Sequence, residues 1–173
     1  MNKEKLKKIF KDIYPYVLVV IIVILVRSFL VTPAKVDGSS MEPTLSNNNL
    51  VMLNKLDYRL NNISRFDVVV VNIGSEKLIK RVIGLPSEHI EYLNDTLYID
   101  GIITKEPFNH KKTNNFKLEN IGYINIPADK YFVVGDNRGN SLDSRSPRIG
   151  LIDKKQILGS VSYKFFPSIK KIK

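Results

Sequence analysis

The chain has no cysteine and only two histidines among its 173 residues. The lack of cysteine excludes disulfides and thiolate metal sites, though it leaves the compartment open, because a protein outside the cytoplasm can do without disulfides. Having only His89 and His110 argues against a histidine-based metal site, and neither residue sits in a motif that recommends a Ser-His-Asp triad. No internal repeat is visible, and no long amphipathic helix follows the N-terminal region. The net charge of +10 comes from scattered cations without a DNA-reading motif, so nucleic acid is not an expected partner. No metal or organic cofactor is called for.

Long apolar runs are also scarce, and the one present is informative. Ile13 to Val26 is uncharged, and with Arg27 tolerated the run reaches Val31. As a helix, its nineteen residues at ~1.5 Å each would span about 28 Å, close to the ~30 Å hydrocarbon core of a bilayer. Arg27 lies near the end, where its side chain can snorkel outward. Pro33 discourages continuation, and Thr32 before it is biased towards an extended conformation. The lysines ahead of Tyr14 place the N-terminus in the cytoplasm and the rest outside. A cleavable signal peptide would also start basic and apolar, but Thr32-Pro33-Ala34 is a poor small-x-small site and Arg27 is an unusual interruption, so the segment reads as a retained anchor. The organisation expected is a cytoplasmic N-terminus over 1–12, an anchor over 13–31 and an extracytoplasmic domain over 32–173. Residues beyond the anchor carry a charge of +6, which suits a domain held close to anionic headgroups.

β patterns dominate that domain. Phe66–Asn72 is a β-branched run and Lys77–Gly84 a second strand. Thr96–Ile103 reads as a hairpin turning at Asp100-Gly101. Tyr131–Val134 is a short buried strand, and Gly159–Phe166 a closing strand before Pro167. Residues 104–130, polar and rich in Asn and Lys, read as a small insertion loop or flap. The fold class expected is mainly β, one domain after one transmembrane helix.

Three stretches carry possible chemistry. Ser40 sits in Asp37-Gly38-Ser39-Ser40-Met41-Glu42-Pro43-Thr44-Leu45, nine residues after the apolar run ends at Val31. A serine hydroxyl is a weak nucleophile until a base takes its proton. Lys80, in Lys80-Arg81-Val82-Ile83-Gly84-Leu85-Pro86, shares a strand face with Leu78 and Val82, so burial can lower its pKa into a useful range. An ordinary lysine with a packed stem and a solvated head fits the same pattern, and a Ser-Ser-Met turn after glycine is often only a loop. Gly38 permits the close backbone approach that an oxyanion hole needs. The third stretch, Val134 to Arg145, leaves a buried strand for a dense polar loop whose arginines can hold carboxylates in bidentate pairs.

Taken together, the three stretches and Phe66-Asp67-Val68-Val69-Val70 resemble the bacterial type I signal peptidases, membrane proteases with a Ser-Lys dyad. The resemblance covers nearly the whole chain, in order and spacing, and is nearest to the short, single-anchor Gram-positive type. It implies a signal-peptidase-like domain of coiled antiparallel sheets, with Ser40 as nucleophile, Lys80 as general base and Ser141 orienting the lysine. It also implies ion pairs between Arg81 and Asp136 and between Asp143 and Arg145, and an oxyanion bond from the Ser40 amide. Val36 and Ile79 would shape shallow pockets for small residues. The implied substrates are signal peptides of secretory preproteins, cut after small-x-small sites near the membrane lipid and the secretion translocon, with substrate added as a strand beside residues 34–39 and the Lys80 segment. Two positions depart from the family pattern. Gly38 stands where some members carry a serine that helps bind the oxyanion, and Ser87 stands where glycine usually follows the Leu-Pro pair. The eukaryotic and archaeal branch usually has histidine at the Lys80 position. A self-cleaving Ser-Lys regulator would need a DNA-binding domain that is absent here. A peptidase dedicated to one secretion system and a silent scaffold on the same fold remain as rivals.

Overall fold

A computed structural model describes residues 3–29, 31–56, 58 and 62–172. It opens with helix α1 (Lys3–Phe29), which contains Pro15. The side chains from Phe10 to Ile24 are exposed along it. Among the described residues, no helix is long and apolar enough to cross a membrane. Leu30 and the side chains of 25–29, Arg27 included, lie outside the described residues, so the last third of the expected anchor falls there. Val31, assigned to the anchor from sequence, is already in a strand.

Among the described residues, twelve strands follow in two antiparallel sheets, the mainly β architecture that the patterning predicts. They are β1 (Val31–Lys35), β2 (Leu50–Asn54), β3 (Val68–Ile73), β4 (Glu76–Gly84), β5 (Ile90–Leu93), β6 (Thr96–Ile99), β7 (Ile102–Thr104), β8 (Phe116–Lys117), β9 (Lys130–Val134), β10 (Ile152–Asp153), β11 (Ile157–Phe166) and β12 (Lys170–Lys171). The larger sheet runs β1-β2-β11-β3-β4-β9-β10, with β12 beside β11. β1 is its edge, where Pro33 can sit without removing a ladder donor. β3 is buried on both faces, which its unbroken Val68–Val71 run suits. Register shifts along β11, against both β2 and β3, mark bulges that add twist and curl the sheet. The curl matters for the site, because Ala34 of β1 and Ile79 of β4 pack against one buried cluster although three strands separate them in the sheet. There the Glu76–Lys80 half of β4 pairs only with β3, while β9 takes Arg81, Val82 and Gly84.

The smaller sheet, β7-β6-β5-β8, is built around the Asp100-Gly101 hairpin. The polar stretch 104–130 contributes more than a flap. Its Phe116, Leu118 and Ile126 are buried in one cluster with Ile90, Tyr92 and Phe132. Phe116 stacks on Phe132 with centroids 5.3 Å apart.

The turn after β4 holds one strained residue. Ser87 has φ +74°, in the left-handed region, while Glu88 accepts from the Leu85 amide at 2.7 Å and pairs with Arg65. A left-handed serine costs about 1–2 kcal/mol, of which glycine would recover part after its own entropy cost. Ser87→Gly is therefore expected to stabilise the chain by about 0.5–1 kcal/mol, read as a higher denaturant midpoint in detergent. A lower midpoint would mean that the turn is not strained.

Candidate active site

Ser40 follows β1 in a turn whose geometry is set by Gly38 and by the loop after β9. Gly38 has φ +92°, and a Cβ there would meet no atom within 4 Å. That left-handed backbone conformation is one that glycine adopts without strain. The Gly38 amide donates to Asn47 Oδ1 at 3.1 Å. On the other side, the Asn137 amide donates to the Ser40 carbonyl at 3.0 Å, Asn137 Nδ2 to the Ser39 carbonyl at 3.0 Å and Asn140 Nδ2 to Ser39 Oγ at 3.0 Å. The serine turn is thus clamped by residues almost a hundred positions away. Among the described residues, the Ser40 amide donates to no acceptor.

Lys80 Nζ lies 2.8 Å from Ser40 Oγ. The lysine is 2 % exposed, set on β4 opposite the fully buried Val69 and between Leu78 and Val82, which pack in one cluster. Burial pushes its amine down from the ordinary 10.5 to about 8. The Asp143 carboxylate pulls it back up, Arg145 pushes it down again and Asp136 raises it slightly. A lysine in that range is substantially neutral in mildly basic solution, and a neutral amine accepts the proton of a hydroxyl it faces.

Behind the pair stand two ion pairs. Arg81 holds Asp136 with two hydrogen bonds, Nε to Oδ1 at 2.9 Å and Nη2 to Oδ2 at 2.7 Å, and both side chains are 0 % exposed. The same Asp136 Oδ2 accepts from Thr44 Oγ1 at 2.5 Å, and Arg81 Nη1 donates to the Phe66 carbonyl at 2.8 Å. The Phe108 ring lies 3.8 Å from the guanidinium carbon, a cation–π contact. Arg145 holds Asp143 through Nε at 2.9 Å and Nη2 at 2.8 Å, and the Gly135 amide adds a third bond at 3.0 Å. Burial alone would raise the Asp143 carboxyl. The Arg145 bonds and charge, with the Gly135 amide, outweigh it and hold the group below the usual carboxylate range.

Ser141 is wedged against Gly135, where an added Cβ would strike Ser141 Oγ and the Ser40 carbonyl. Its buried hydroxyl completes no hydrogen bond of ordinary geometry among the described residues, although it lies near enough to Asp143 to help hold that carboxyl down. The bond to Lys80 implied by the family resemblance is not formed here. Val36 is buried in one cluster with Met41 and Leu45, and half-buried Ile79 and Ala34 pack against it. The Val36 amide and carbonyl are both occupied, by Asn49 O at 2.8 Å and Asn48 N at 2.9 Å.

A network missed in the sequence supports the loop from the side of the small sheet. Arg138 pairs with Glu106 at 2.5 Å, donates to Thr113 Oγ1 at 2.7 Å and to the Gly135 carbonyl at 3.1 Å. Tyr92 Oη donates to Glu106 at 3.2 Å, and the Lys111 amide to the Asp136 carbonyl at 2.9 Å. Arg138 and Asn137 stood inside the loop motif without assigned roles. Glu106 carries no local signal, because its partner lies 32 residues on.

The chain is similar to known proteins over most of its length. The family described as "Signal peptidase, peptidase S26" matches residues 9–166. Signal peptidase I of Bacillus amyloliquefaciens is 41% identical over 157 residues, covering 87% of this chain and 84% of the relative. Signal peptidase I S of Bacillus subtilis (strain 168) is 39% identical over 173 residues, covering 96% and 94%. Signal peptidase IB of Staphylococcus aureus (strain Mu50) is 38% identical over 182 residues, covering 96% and 92%. The crystal structure of a signal peptidase I from Enterococcus faecalis V583 matches with a TM-score of 0.52 and 32% identity, over 58% of this chain and 97% of that one. With these likenesses spanning the helix and both sheets, the chain belongs to the signal peptidase family, peptidase S26, a family of serine endopeptidases.

Proposed function

We propose that the chain is a membrane-tethered endopeptidase that removes N-terminal signal peptides from exported preproteins after small-x-small sites. The observation that carries this reading is the buried Lys80 amine, its pKa about 8, within 2.8 Å of Ser40 Oγ. Lys80 takes the Ser40 proton as Oγ attacks the scissile carbonyl. It then gives that proton to the departing amine of the mature protein, leaving an acyl-enzyme on Ser40. Water, deprotonated by the same amine, releases the signal peptide.

The unoccupied Ser40 amide is suited to donate to the oxyanion. The Ser141 hydroxyl, near Asp143 and without a completed hydrogen bond among the described residues, would turn onto the Lys80 amine to steady it. The Arg81–Asp136 and Arg145–Asp143 pairs hold the loop against the catalytic strand. The substrate enters as an extended strand between the outer edge of β1 and the edge of the Glu76–Lys80 half of β4 that β9 does not cover, so that Val36 and Ile79 line the pockets for its small side chains. Because both polar groups of Val36 are already used, its neighbours on the β1 edge make the main-chain bonds.

The exposed apolar side chains of α1 and the lysines before them favour a single-pass anchor in the cytoplasmic membrane, with the N-terminus inside and the sheets outside, near the translocon. The test is incubation of the detergent-solubilised full chain with a secretory preprotein, the new N-terminus being sequenced. A single cut after a small-x-small site is expected. A folded protein that makes no cut, or cuts elsewhere, would overturn the reading.

A further inference from the structure

We propose that the cleft bounded by Pro43, Thr44, Phe108, Lys164, Lys170 and Lys171 binds the phosphodiester headgroup of an anionic phospholipid. The cleft encloses about 310 Å³, within the range of sites that hold small molecules. Its walls come from the serine turn, the 104–130 stretch and the C-terminal hairpin of β11 and β12.

The charge arrangement asks for an anion. Lys164 and Lys170 face one another across the β11–β12 pair, while Lys171, opposite Tyr163, stands on the other face. Like charges directly opposite on an antiparallel pair repel. Two other strand lysines are matched with carboxylates, Lys130 with Asp153 at 2.9 Å and Lys117 with Glu91 at 2.7 Å, whereas exposed Lys35 and Lys77 are not among the described residues' ion pairs. Among the described residues, none of Lys164, Lys170 and Lys171 has such a partner. A phosphodiester seated between Lys164 and Lys170 replaces repulsion with charge-assisted hydrogen bonds.

The surroundings identify the anion as a lipid rather than a free phosphate or an acidic peptide. On the same hairpin Tyr163, Phe166 and Ile169 are exposed, Ile169 at 82 %. Tyr163 pairs across β2 with Met52 and on to Pro33, and Phe166 with Leu50 and on to Lys35. These rows run on the face of the sheet opposite Lys164, which pairs with buried Val51, and reach β1, which follows the apolar helix, so the exposed apolar side chains of the hairpin, rather than the cleft itself, are continuous with the proposed anchor. Apolar tips beside lysines fit an interface where acyl chains cover the tips and headgroups meet the amines. An acidic peptide would use the lysines and leave Ile169 and Phe166 uncovered. The bound headgroup would also press on the site, since Thr44 donates to Asp136 and Phe108 lies on Arg81.

The inference rests on the proposed bilayer location but not on the cleavage reaction, and it is tested without substrate. The full chain in a non-ionic detergent is titrated with dihexanoyl-phosphatidylglycerol, and the acylation rate of each lysine is read by peptide mass spectrometry. Lys164 and Lys170 should be protected together, while Lys154 and Lys155 label as before. Lys170→Gln should shift the protection of Lys164 to about fivefold or more higher lipid, and Lys154→Gln should not. Equal protection by dihexanoyl-phosphatidylcholine, by inorganic phosphate or by an acidic peptide would overturn the proposal, as would no protection. A chain that binds the lipid and cuts no preprotein would uphold this site while removing the peptidase reading.

Discussion

Lys80→Met is expected to reduce preprotein cleavage by about 10⁴-fold or more, and Ser40→Ala by at least as much. The lysine change should nonetheless leave the fold more stable than the wild type. Methionine keeps the length and apolar stem of lysine but cannot accept a proton, so the loss should appear in kcat and not in substrate binding. In the wild type, kcat/KM should rise about tenfold per pH unit below the Lys80 pKa of about 8 and level off above it. Stability follows from the same amine with its own sign. Below pH 8 the folded and unfolded chains both carry the proton, and the folded chain bears the full cost of burying it. Between about 8 and 10.5 the folded chain has shed the proton while the unfolded chain keeps it, so stability climbs with pH and the penalty is gone above 10.5. That interval corresponds to about 3 kcal/mol, of which Lys80→Met should recover a good part at neutral pH. Cleavage by the variant, or a flat pH profile in the wild type, would remove Lys80 from the mechanism. A variant less stable than the wild type would mean that the amine is not desolvated.

Asp136→Ala is expected to cost about 3–5 kcal/mol of stability, because it leaves the Arg81 guanidinium charged, buried and without its carboxylate. Thr44 loses its acceptor in the same step. Against a typical total of about 5–15 kcal/mol, such a loss should show as a sharply lower denaturant midpoint and poor accumulation in cells. The informative control removes both partners. Arg81→Met with Asp136→Leu should be much less destabilising than Asp136→Ala alone, since no charge is then stranded. If the single substitution costs under about 1 kcal/mol, water reaches the pair and it is not the buried clamp described above.

How much could be read in advance depended on whether the signal was local. β3 was legible because Val68–Val71 is an unbroken β-branched run, and the β6–β7 hairpin because Asp100-Gly101 marks its turn. β1 was hidden by Pro33 and by its adjacency to the apolar run. β2, five residues long, carries too little periodicity to stand out. The 104–130 stretch looked solvated because its Asn and Lys residues dominate, while Phe116, Leu118 and Ile126 are buried by partners from β5 and β9 that no short window contains. The alternation of Leu78, Lys80 and Val82 placed the lysine on a packed face. That its amine would reach Ser40 depended on the curl of a seven-strand path, and only the family resemblance gave it beforehand. The Glu106–Arg138 pair lay beyond either route.

The edge of β4 over Glu76–Lys80 that β9 leaves uncovered and the outer edge of β1 have one more consequence. Open strand edges pair through main-chain groups and do not distinguish whose chain they meet, so they are exposed to strands from neighbouring copies. Glu76 and Lys77 stand at the mouth of one edge, and Lys35 and Asp37 along the other, all exposed. Mixed charges at these margins disfavour flat, apolar strands from misfolded copies. In the proposed membrane-tethered state such guarding would matter more than in dilute solution, since tethered copies would meet in two dimensions.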